Sequence, residues 1–235
     1  HGDDDAGWAM KPYYEDESAV IYHGDCREIL PSLEIFDLLL TDPPYGINYA
    51  PKYARRRLPN GTWLPPSEMP AVVGDKEEFD PAFLLSAATR LILWGANHYA
   101  HKLPHRGQWL VWDKRCQIVP SRNQSDCELA WHSKPGADRI FYHLWDGMLK
   151  ASERGVARYH PTQKAEAVMK WCMGFMPEAK TLLDPFMGSG TTLRAAKDLG
   201  LRAVGIEIEE KYCEIAVKRL RQQVLDFEAM EVAHA

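Results

Sequence analysis

Four consecutive residues, Asp42, Pro43, Pro44 and Tyr45, follow a short apolar run and could bind a planar amine. The two prolines fix the backbone and remove two amide donors, which leaves carbonyl groups free to accept hydrogen bonds. The Asp42 carboxylate and the Pro43 carbonyl could accept both hydrogens of an exocyclic amine, and the ring of Tyr45 could stack on a base. Two prolines usually indicate a rigid surface turn, but the flanking Asp and Tyr favour a functional site.

A second motif spans residues 184–192, between an apolar run and a helical pattern. Gly188 and Gly190 are expected to let a ligand approach the backbone, and the amides at the start of the helix favour negative charge. A dinucleotide site would need a third glycine near position 193, where the chain has Leu193, so nicotinamide binding is disfavoured. Glu207, at the end of the next apolar run, is placed to accept hydrogen bonds from ribose hydroxyls.

A third motif, His-Pro-Thr-Gln-Lys at residues 160–164, predicts a polar turn. Its Thr162, Gln163 and Lys164 side chains are all hydrogen-bond donors, and the lysine adds a positive charge. These three residues could therefore hold a carboxylate group. The alternative interpretation is that they simply start a helix.

Four short apolar runs each end in an acidic residue, as expected of strands buried on both faces of a parallel sheet. Helical patterns lie between them, and this alternation predicts an α/β fold with a doubly wound, mostly parallel sheet. Ligands bind beyond the carboxyl ends of such strands, where the four acids would converge, although a single acid there is more often a helix cap. The runs are 19–22, 36–40, 181–183 and 203–206, the helical patterns are 26–34, 191–199 and 209–228, and the runs 90–94 and 108–112 could extend the sheet.

The three motifs, in this order, resemble those of the amino-methylating DNA methyltransferases, which transfer a methyl group from S-adenosylmethionine to N6 of adenine or N4 of cytosine. The amine-binding motif comes first, a variable region follows and the cofactor motif comes last, which resembles the permuted β group of that family. The resemblance covers residues 19–222 and implies a Rossmann-like methyltransferase fold with a small inserted target-recognition region. One departure is Ala165, where the family usually has proline after the lysine.

The resemblance also implies a role for each matching position. The segment from Asp42 to Tyr45 would be catalytic, and Asp at position 42 favours adenine because cytosine-N4 members more often have serine there. S-adenosylmethionine would be the cofactor, with its carboxylate at residues 162–164, its ribose at Glu207 and its adenine ring at residues 25–26. The implied cofactor-binding residues are Asp25, Cys26, Thr162, Gln163, Lys164, Asp184, Pro185, Phe186, Gly188, Ser189, Gly190, Thr191, Thr192 and Glu207.

The charge of the chain is unevenly distributed. A formal net charge of -5 excludes a protein that coats nucleic acid by bulk charge, but residues 101–164 carry eleven lysines and arginines against six acids. We expect double-stranded DNA to bind at a contacting loop, residues 47–75, and at a recognition region, residues 115–159, with the target nucleotide flipped out of the duplex. The expected DNA contacts are Arg55, Arg56, Arg57, Trp63, Lys114, Arg115, Arg122 and Asn123, although an isolated basic triplet is more often a solvated loop.

One catalytic domain is expected from residues 10–114 and 160–228, interrupted by the recognition region and followed by a tail at 229–235. We interpret residues 1–9 as a vector-derived remnant. The five cysteines form no Cys-x-x-Cys pair, which argues against a bound metal and favours a reducing compartment. No apolar run reaches the roughly 18–20 residues that span a bilayer, so we expect a cytoplasmic protein that binds DNA of the nucleoid, has no membrane partner and could form a homodimer.

Three other functions fit parts of these patterns. Methylation of cytosine N4, of RNA or of a protein amide would use the same amine-accepting geometry. A catalytically inactive protein that binds DNA or the cofactor would have no need for the arrangement around Asp42. A nicotinamide oxidoreductase is the third alternative, but this sequence has leucine at position 193, where such an enzyme would need its third glycine.

Overall fold

The computed structural model describes residues 11–48, 73–118, 125–146, 149–153 and 163–222, and the backbone of four two-residue strands between residues 52 and 68. Nine strands form one mixed sheet in the spatial order β1-β2-β9-β8-β3-β4-β6-β5-β7. In chain order the strands are β1 (Tyr14–Glu15), β2 (Ala19–His23), β3 (Phe36–Thr41), β4 (Ala88–Trp94), β5 (Gln108–Asp113), β6 (Cys127–His132), β7 (Arg139–Tyr142), β8 (Thr181–Asp184) and β9 (Arg202–Glu207).

The middle of the sheet is parallel and buried on both faces. The strands β2, β9, β8, β3 and β4 pair in parallel with their neighbours. Leu38, Leu39 and Leu40 of β3 have no exposed surface, so successive side chains are buried on opposite faces of the strand. The doubly wound α/β prediction is therefore confirmed, and the runs at 90–94 and 108–112 do extend the sheet as β4 and β5.

Helices cover the two faces of the sheet separately. Apolar side chains of α2, α3 and α4 pack with Leu38 and Leu40 on one face, whereas those of α1 and three short 3-10 helices pack with Leu39 on the other. The helices are α1 (Cys26–Ile29), α2 (Glu166–Met173), α3 (Thr191–Asp198) and α4 (Glu210–Arg221), and the 3-10 helices are Leu30–Ser32, Ala82–Leu84, Ala96–His98 and Ala100–Lys102.

The predicted helices start at the right places but are shorter than expected. The pattern at 26–34 divides into α1 and the 3-10 helix Leu30–Ser32, where Pro31 removes a helical amide donor. The pattern at 209–228 gives α4, which ends at Arg221, and residues 223–228 lie outside the described residues.

The direction in which strands are added reverses between β3 and β8. From β3 the chain continues to β4 on one side, and from β8 it continues through α3 to β9 on the other side. Such a reversal opens a crevice at the carboxyl ends of the two strands. Thr41 and Asp184 are the last residues of β3 and β8, so they stand at this crevice.

The predicted recognition region at 115–159 contributes two strands to the main sheet. Its residues Cys127–His132 form β6, which pairs with both β4 and β5, and its residues Arg139–Tyr142 form β7 at the sheet edge. Trp131 and Trp145 are buried, so these two aromatic residues belong to the core. This part of the region is therefore continuous with the sheet, and its role in target recognition stays a prediction.

The predicted contacting loop also has regular backbone structure. Lys52–Tyr53 pairs with Ser67–Glu68, and Arg56–Arg57 pairs with Trp63–Leu64, both antiparallel. The pairing Arg56–Arg57 with Trp63–Leu64 lies inside the pairing Lys52–Tyr53 with Ser67–Glu68 along the chain. The sequence shows little periodicity in this segment, which is why it predicts a loop.

Candidate active site

A hydrogen bond joins the two motifs at the crevice. The Thr41 hydroxyl donates to Oδ1 of Asp184 over 2.6 Å, and both residues are buried. The amine-binding motif starts one residue after Thr41, and the cofactor motif starts at Asp184 itself. Two segments that lie 143 residues apart in the chain are therefore fixed against each other at the point where a ligand is expected.

Three of the four strand-end acids share a local backbone contact. Asp25 accepts a hydrogen bond from the amide of Arg27 over 2.8 Å, and Asp184 and Glu207 accept from the amides of residues 186 and 209 over 3.1 and 2.8 Å. In each case the donor lies two residues further along the chain. For Asp25 this contact is the N-cap of α1, so the simple structural interpretation holds there.

Asp42 differs from the other three acids because of the prolines that follow it. The residue two positions later is Pro44, which has no amide hydrogen to donate. Its carboxylate is bound instead by side chains: Nζ of Lys164 lies 2.5 Å from Oδ2, and the Tyr45 hydroxyl donates to Oδ1. Pro44 thus leaves this carboxylate to side chains, where the other three acids bind a backbone amide.

A chain of four charges runs from Asp42 to the neighbouring strands. Lys164 contacts both Asp42 and Glu128, at 2.5 and 2.8 Å, and Glu128 also lies 3.1 Å from Nζ of Lys114. Burial works to raise the pKa of Glu128, but the two lysines outweigh it and hold that pKa at about 2. At Asp42, burial dominates over the opposing charge of Lys164 and raises the pKa.

The Tyr45 ring has a fixed place beside the crevice. It stacks on His98, with ring centroids 5.1 Å apart and an interplanar angle of 10°. Gly95 has φ +66° and lies under the ring, where an added Cβ would stand 1.9 Å from Cε1 of Tyr45. A glycine is therefore required at 95 both for its conformation and for the close approach of Tyr45.

Asp75 holds the backbone of the amine-binding motif. Its Oδ1 accepts hydrogen bonds from the amides of Tyr45, Gly46 and Ile47 at 2.9, 2.7 and 3.2 Å, and Asp75 is buried. Three convergent backbone donors to one carboxylate fix the path of the segment. Asp75 therefore positions the ring of Tyr45 from a distance of thirty residues in the chain.

The cofactor motif is held by Arg219 of α4. Its buried guanidinium donates to the carbonyl of Ser189 and to the hydroxyl of Thr191, both at 2.9 Å, and pairs with Glu166 at 2.9 Å. Ser189 and Thr191 are themselves buried. The Ser189 carbonyl and the Thr191 hydroxyl therefore hold the loop against α4, and the predicted contact of these two residues with a cofactor stays a prediction.

The two glycines of the motif have different surroundings from those expected. Gly190 has φ +77°, and an added Cβ would lie 2.7 Å from Cβ of Ala216, so the close approach there is to α4. Gly188 has φ +51°, and its amide donates to Oε2 of Glu207 over 3.0 Å. Gly190 therefore makes room for α4, and a ligand contact at its backbone stays a prediction.

The crevice carries buried acids that no cation neutralises among the described residues. Burial raises the pKa of Asp184 to about 6 and that of Glu207 to about 7. Their hydrogen-bond partners are backbone amides and hydroxyl groups, and no lysine or arginine in the described ranges forms an ion pair with either. A ligand that brings positive charge and hydroxyl groups would suit this pair of carboxylates.

The remaining predicted cofactor residues lie at or near the same edge of the sheet. Phe186 packs edge-on against Phe79, with ring centroids 5.6 Å apart. Cys26 is buried, and burial raises the pKa of its thiol to about 12, so it is present as the neutral thiol. Pro185, Thr192 and Gln163 are buried, and Thr162 lies outside the described residues.

A comparison with known protein families decides the identity of this arrangement. The family described as DNA methylase, N6_N4_Mtase, matches residues 62–218, which is more than half of the chain. The chain belongs to this family. It is a DNA amino-methyltransferase, a class that acts on N6 of adenine or N4 of cytosine and depends on S-adenosylmethionine, and its resemblance to that class is confirmed.

Several curated proteins are similar to this methyltransferase over most of their length. It is 28% identical to the Type II methyltransferase M2.LlaDCHI of Lactococcus lactis subsp. cremoris, over 90% of this chain and 93% of the relative. It is also 28% identical to the Type II methyltransferase M.ScaI of Streptomyces caespitosus, over 91% of this chain and 84% of the relative.

Solved structures share the fold of this methyltransferase. The M1.HpyAVI–SAM complex has a TM-score of 0.52 at 24% identity, covering 86% of this chain and all of that chain. The cytosine-N4-specific PvuII DNA methyltransferase has a TM-score of 0.60 at 15% identity, covering 95% and 93% of the two chains. The Rossmann-like methyltransferase fold predicted from the motifs is therefore confirmed.

The residues that the sequence assigned to DNA binding are only partly described. Lys114 is the last cation of the charge chain at Asp42, and Arg115 is buried with Nη1 2.6 Å from Oδ1 of Asp126. The position of Arg115 therefore does not support its predicted contact with DNA. Arg56, Arg57 and Trp63 are described by their backbone alone, and Arg55, Arg122 and Asn123 lie outside the described residues.

The described part of the chain meets the requirements of neither a membrane-spanning helix nor a metal site. No helix there has both the length and the apolar character to cross a membrane. No three or more His, Cys, Asp or Glu side chains in those ranges are grouped so that they could hold a metal ion.

Proposed function

We propose that this DNA methyltransferase methylates N6 of an adenine that is flipped out of double-stranded DNA. The observation that carries the proposal is the position of Asp42 at the strand crossover point, where side chains and, among the described residues, no backbone amide bind its carboxylate. Its carboxylate and the Pro43 carbonyl are the acceptors that a planar amine with two hydrogens requires. Aspartate at this position favours adenine over cytosine, by the resemblance given above.

The chain's own residues would hold the two reactants. Tyr45, supported by His98 on one side, would stack on the extruded base, a contact worth roughly 1–3 kcal/mol. Glu207 would accept hydrogen bonds from the cofactor ribose, and Asp184 would lie beside its cationic methionine part. The unneutralised charge of these two acids supports that assignment, because S-adenosylmethionine carries a positive sulfonium and an ammonium group.

The exocyclic amine of the base is a poor nucleophile, and Asp42 would make it more reactive. The lone pair of an exocyclic amine is delocalised into the ring, and hydrogen bonds to Asp42 and to the Pro43 carbonyl favour a pyramidal nitrogen. S-adenosylmethionine would supply an electrophilic methyl group, with its methyl–sulfur bond breaking as the carbon–nitrogen bond forms. Asp42 would hold the positively charged nitrogen until one N–H proton leaves to water, so the reaction would need neither a covalent enzyme intermediate nor a histidine base.

DNA binding would place the duplex over the carboxyl edge of the sheet. An amine inside the duplex cannot reach Asp42, which is why the nucleotide must leave the stack. The paired strands between residues 52 and 68 come after the amine-binding motif in the chain, and Arg55, Arg56 and Arg57 of this segment would contact phosphates. If these arginines contact phosphates, the DNA affinity of Arg56→Ala depends less steeply on salt concentration than that of the wild type. An unchanged salt dependence would indicate that the three arginines lie in a solvated loop.

The experiment that tests this function identifies the product. Duplex DNA is incubated with the protein and S-adenosylmethionine, digested to nucleosides and separated by mass. We expect N6-methyladenine, and mapping of modified bases in an expression host then gives the recognition sequence. N4-methylcytosine as the sole product would replace adenine with the alternative base. A homodimer and action on DNA in the cytoplasm stay predictions, tested by light scattering and by cell fractionation.

A further inference from the structure

The charge chain around Lys164 contains a carboxylate that the proposed reaction does not use. Glu128 lies on β6, opposite Trp112 in the register of the sheet. Its side chain is 30% exposed, and its two oxygens lie 3.1 Å from Lys114 and 2.8 Å from Lys164. Lys164 is almost fully buried, with 4% of its side chain exposed. One buried ammonium is therefore shared between two carboxylates, Asp42 and Glu128.

Lys164 competes with the target amine for Asp42. The amine would donate to the carboxylate that already binds Lys164 at Oδ2 and the Tyr45 hydroxyl at Oδ1. An ammonium at 2.5 Å compensates the charge of Asp42 and so weakens its attraction for a neutral amine. The nitrogen also becomes positive as the methyl group is transferred, and a second positive charge held on the same carboxylate would oppose that change.

The ammonium of Lys164 cannot simply be left without a partner. Because the ammonium is buried, leaving its charge unpaired would cost free energy. Burial by itself lowers the pKa of Lys164, but the carboxylates of Asp42 and Glu128 outweigh burial and raise that pKa above its ordinary value. Glu128 is already within 2.8 Å of it, so a small movement transfers the ammonium from Asp42 to Glu128 without exposing it to an apolar surrounding.

We infer that Glu128 is a positioning residue for methyl transfer: it takes Lys164 from Asp42 when the target amine binds, and so frees the Asp42 carboxylate. This inference rests on the proposed function, because it takes Asp42 as the acceptor of the amine. Lys164 would then have a second role, pairing with Asp42 or Glu128, in addition to the cofactor contact that the family resemblance implies.

The test is the variant Glu128→Gln, which keeps the size of the side chain and removes its charge. Lys164 then has Asp42 as its remaining carboxylate partner among those described. Binding is measured to two duplexes, one with adenine at the target position and one with purine, which lacks the 6-amino group. We expect affinity for the adenine duplex to fall by about tenfold or more, with single-turnover methyl transfer slowed alongside, and affinity for the purine duplex to stay at the wild-type level.

A matched control variant is Asp198→Asn. Asp198 is also a partly buried carboxylate with two cations, at 2.6 Å from Lys170 and 3.1 Å from Arg194, but it lies at the end of α3. Its loss is expected to affect stability and to leave the difference between the two duplexes unchanged. A change of that difference in Asp198→Asn equal to the one in Glu128→Gln would overturn the inference.

Two other results would contradict the role of Glu128. These are an equal loss of affinity for both duplexes, which indicates a structural effect, and wild-type binding and turnover in Glu128→Gln. If that variant does not fold, Glu128→Asp withdraws the carboxylate from Lys164 and faces the same criteria. Wild-type protein in the same assay separates the two proposals. Absence of methylated adenine there refutes the proposed function, whereas methylated adenine from the wild type together with wild-type binding and turnover in Glu128→Gln refutes the role of Glu128 alone.

Discussion

The hydroxyl of Thr41 donates to Oδ1 of Asp184 at the carboxyl ends of two neighbouring parallel strands. This contact sets the distance between Asp42, which follows Thr41 and which we propose as the acceptor of the target amine, and the start of the cofactor motif. The strand crossover point opens the crevice, and the bond fixes the two sides against each other. Under the proposed function, Thr41 would therefore help to set the reaction geometry although its hydroxyl faces Asp184.

Replacing Thr41 by valine removes this bond without changing the shape of the side chain. The buried Asp184 loses one donor and keeps the amide of Phe186, so we expect the free energy of unfolding to fall by about 1–2 kcal/mol. Urea denaturation measures the loss. Thr41→Ser retains the hydroxyl and is the control for hydrogen bonding. If Thr41→Val and Thr41→Ser have the same free energy of unfolding, the hydrogen bond contributes nothing to stability.

The sequence predicts the strands and the acids at their ends because both are local features. An apolar run that stops at an acid is visible in five or six residues, and the two prolines after Asp42 explain on their own why that acid lacks a backbone donor. The mostly parallel sheet and the position of the motifs at its carboxyl edge follow from such patterns. The spatial order of the nine strands does not, because it depends on pairings between distant parts of the chain.

The supporting residues were not accessible, because their contacts join distant parts of the chain. Asp75 acts thirty residues after Tyr45, and Arg219 acts thirty residues after Ser189. Glu128 has the sequence context of any acid on a strand, and only the fold brings it to Lys164. The one available signal was Arg219, a cation among apolar positions of an amphipathic helix, which indicates a buried partner.

Replacing Asp42 by alanine should separate catalysis from cofactor binding. Lys164 keeps its contact with Glu128 at 2.8 Å, so its buried charge stays paired and the crevice stays folded. We expect methyl transfer to fall by about a hundred- to a thousandfold, while calorimetric titration with S-adenosylmethionine gives an affinity near that of the wild type. Lost cofactor affinity with retained turnover would place Asp42 on the cofactor instead.

Replacing Gly95 by alanine should displace Tyr45. The new Cβ would stand 1.9 Å from the Tyr45 ring, so the ring must move away from His98. We expect turnover to fall on the order of a hundredfold, measured as transfer of labelled methyl groups to DNA. The backbone conformation adds about 1–2 kcal/mol of destabilisation, because φ is +66°.

Gly200→Ala separates these two effects. Gly200 has φ +74° and no atom within 4 Å of an added Cβ, so alanine there has the strain without the clash. We expect Gly200→Ala to lose stability and to keep its turnover. If both variants lose turnover equally, backbone strain and not the displacement of Tyr45 is responsible.

The buried acids should make the protein less stable as pH rises. The pKa of Glu207 is about 7 in the folded protein against an ordinary value of 4.5, so between these values the folded state binds more protons than the unfolded state. Stability therefore falls as pH rises from about 4.5 to about 7, by at most about 3 kcal/mol for this group. Asp184, with a pKa of about 6 against 3.8, adds a similar fall that is complete at lower pH.

Glu207→Gln isolates this effect. The amide oxygen can still accept from the amides of Gly188 and Glu209, but the side chain no longer titrates. In urea denaturation at pH 4 to 8, we expect the variant to gain stability relative to the wild type as pH rises, with the gain complete above about pH 7. Its affinity for S-adenosylmethionine should fall at every pH, because the ribose acceptor is weakened. Parallel stability curves for the two proteins would show that Glu207 keeps an ordinary pKa in the folded state.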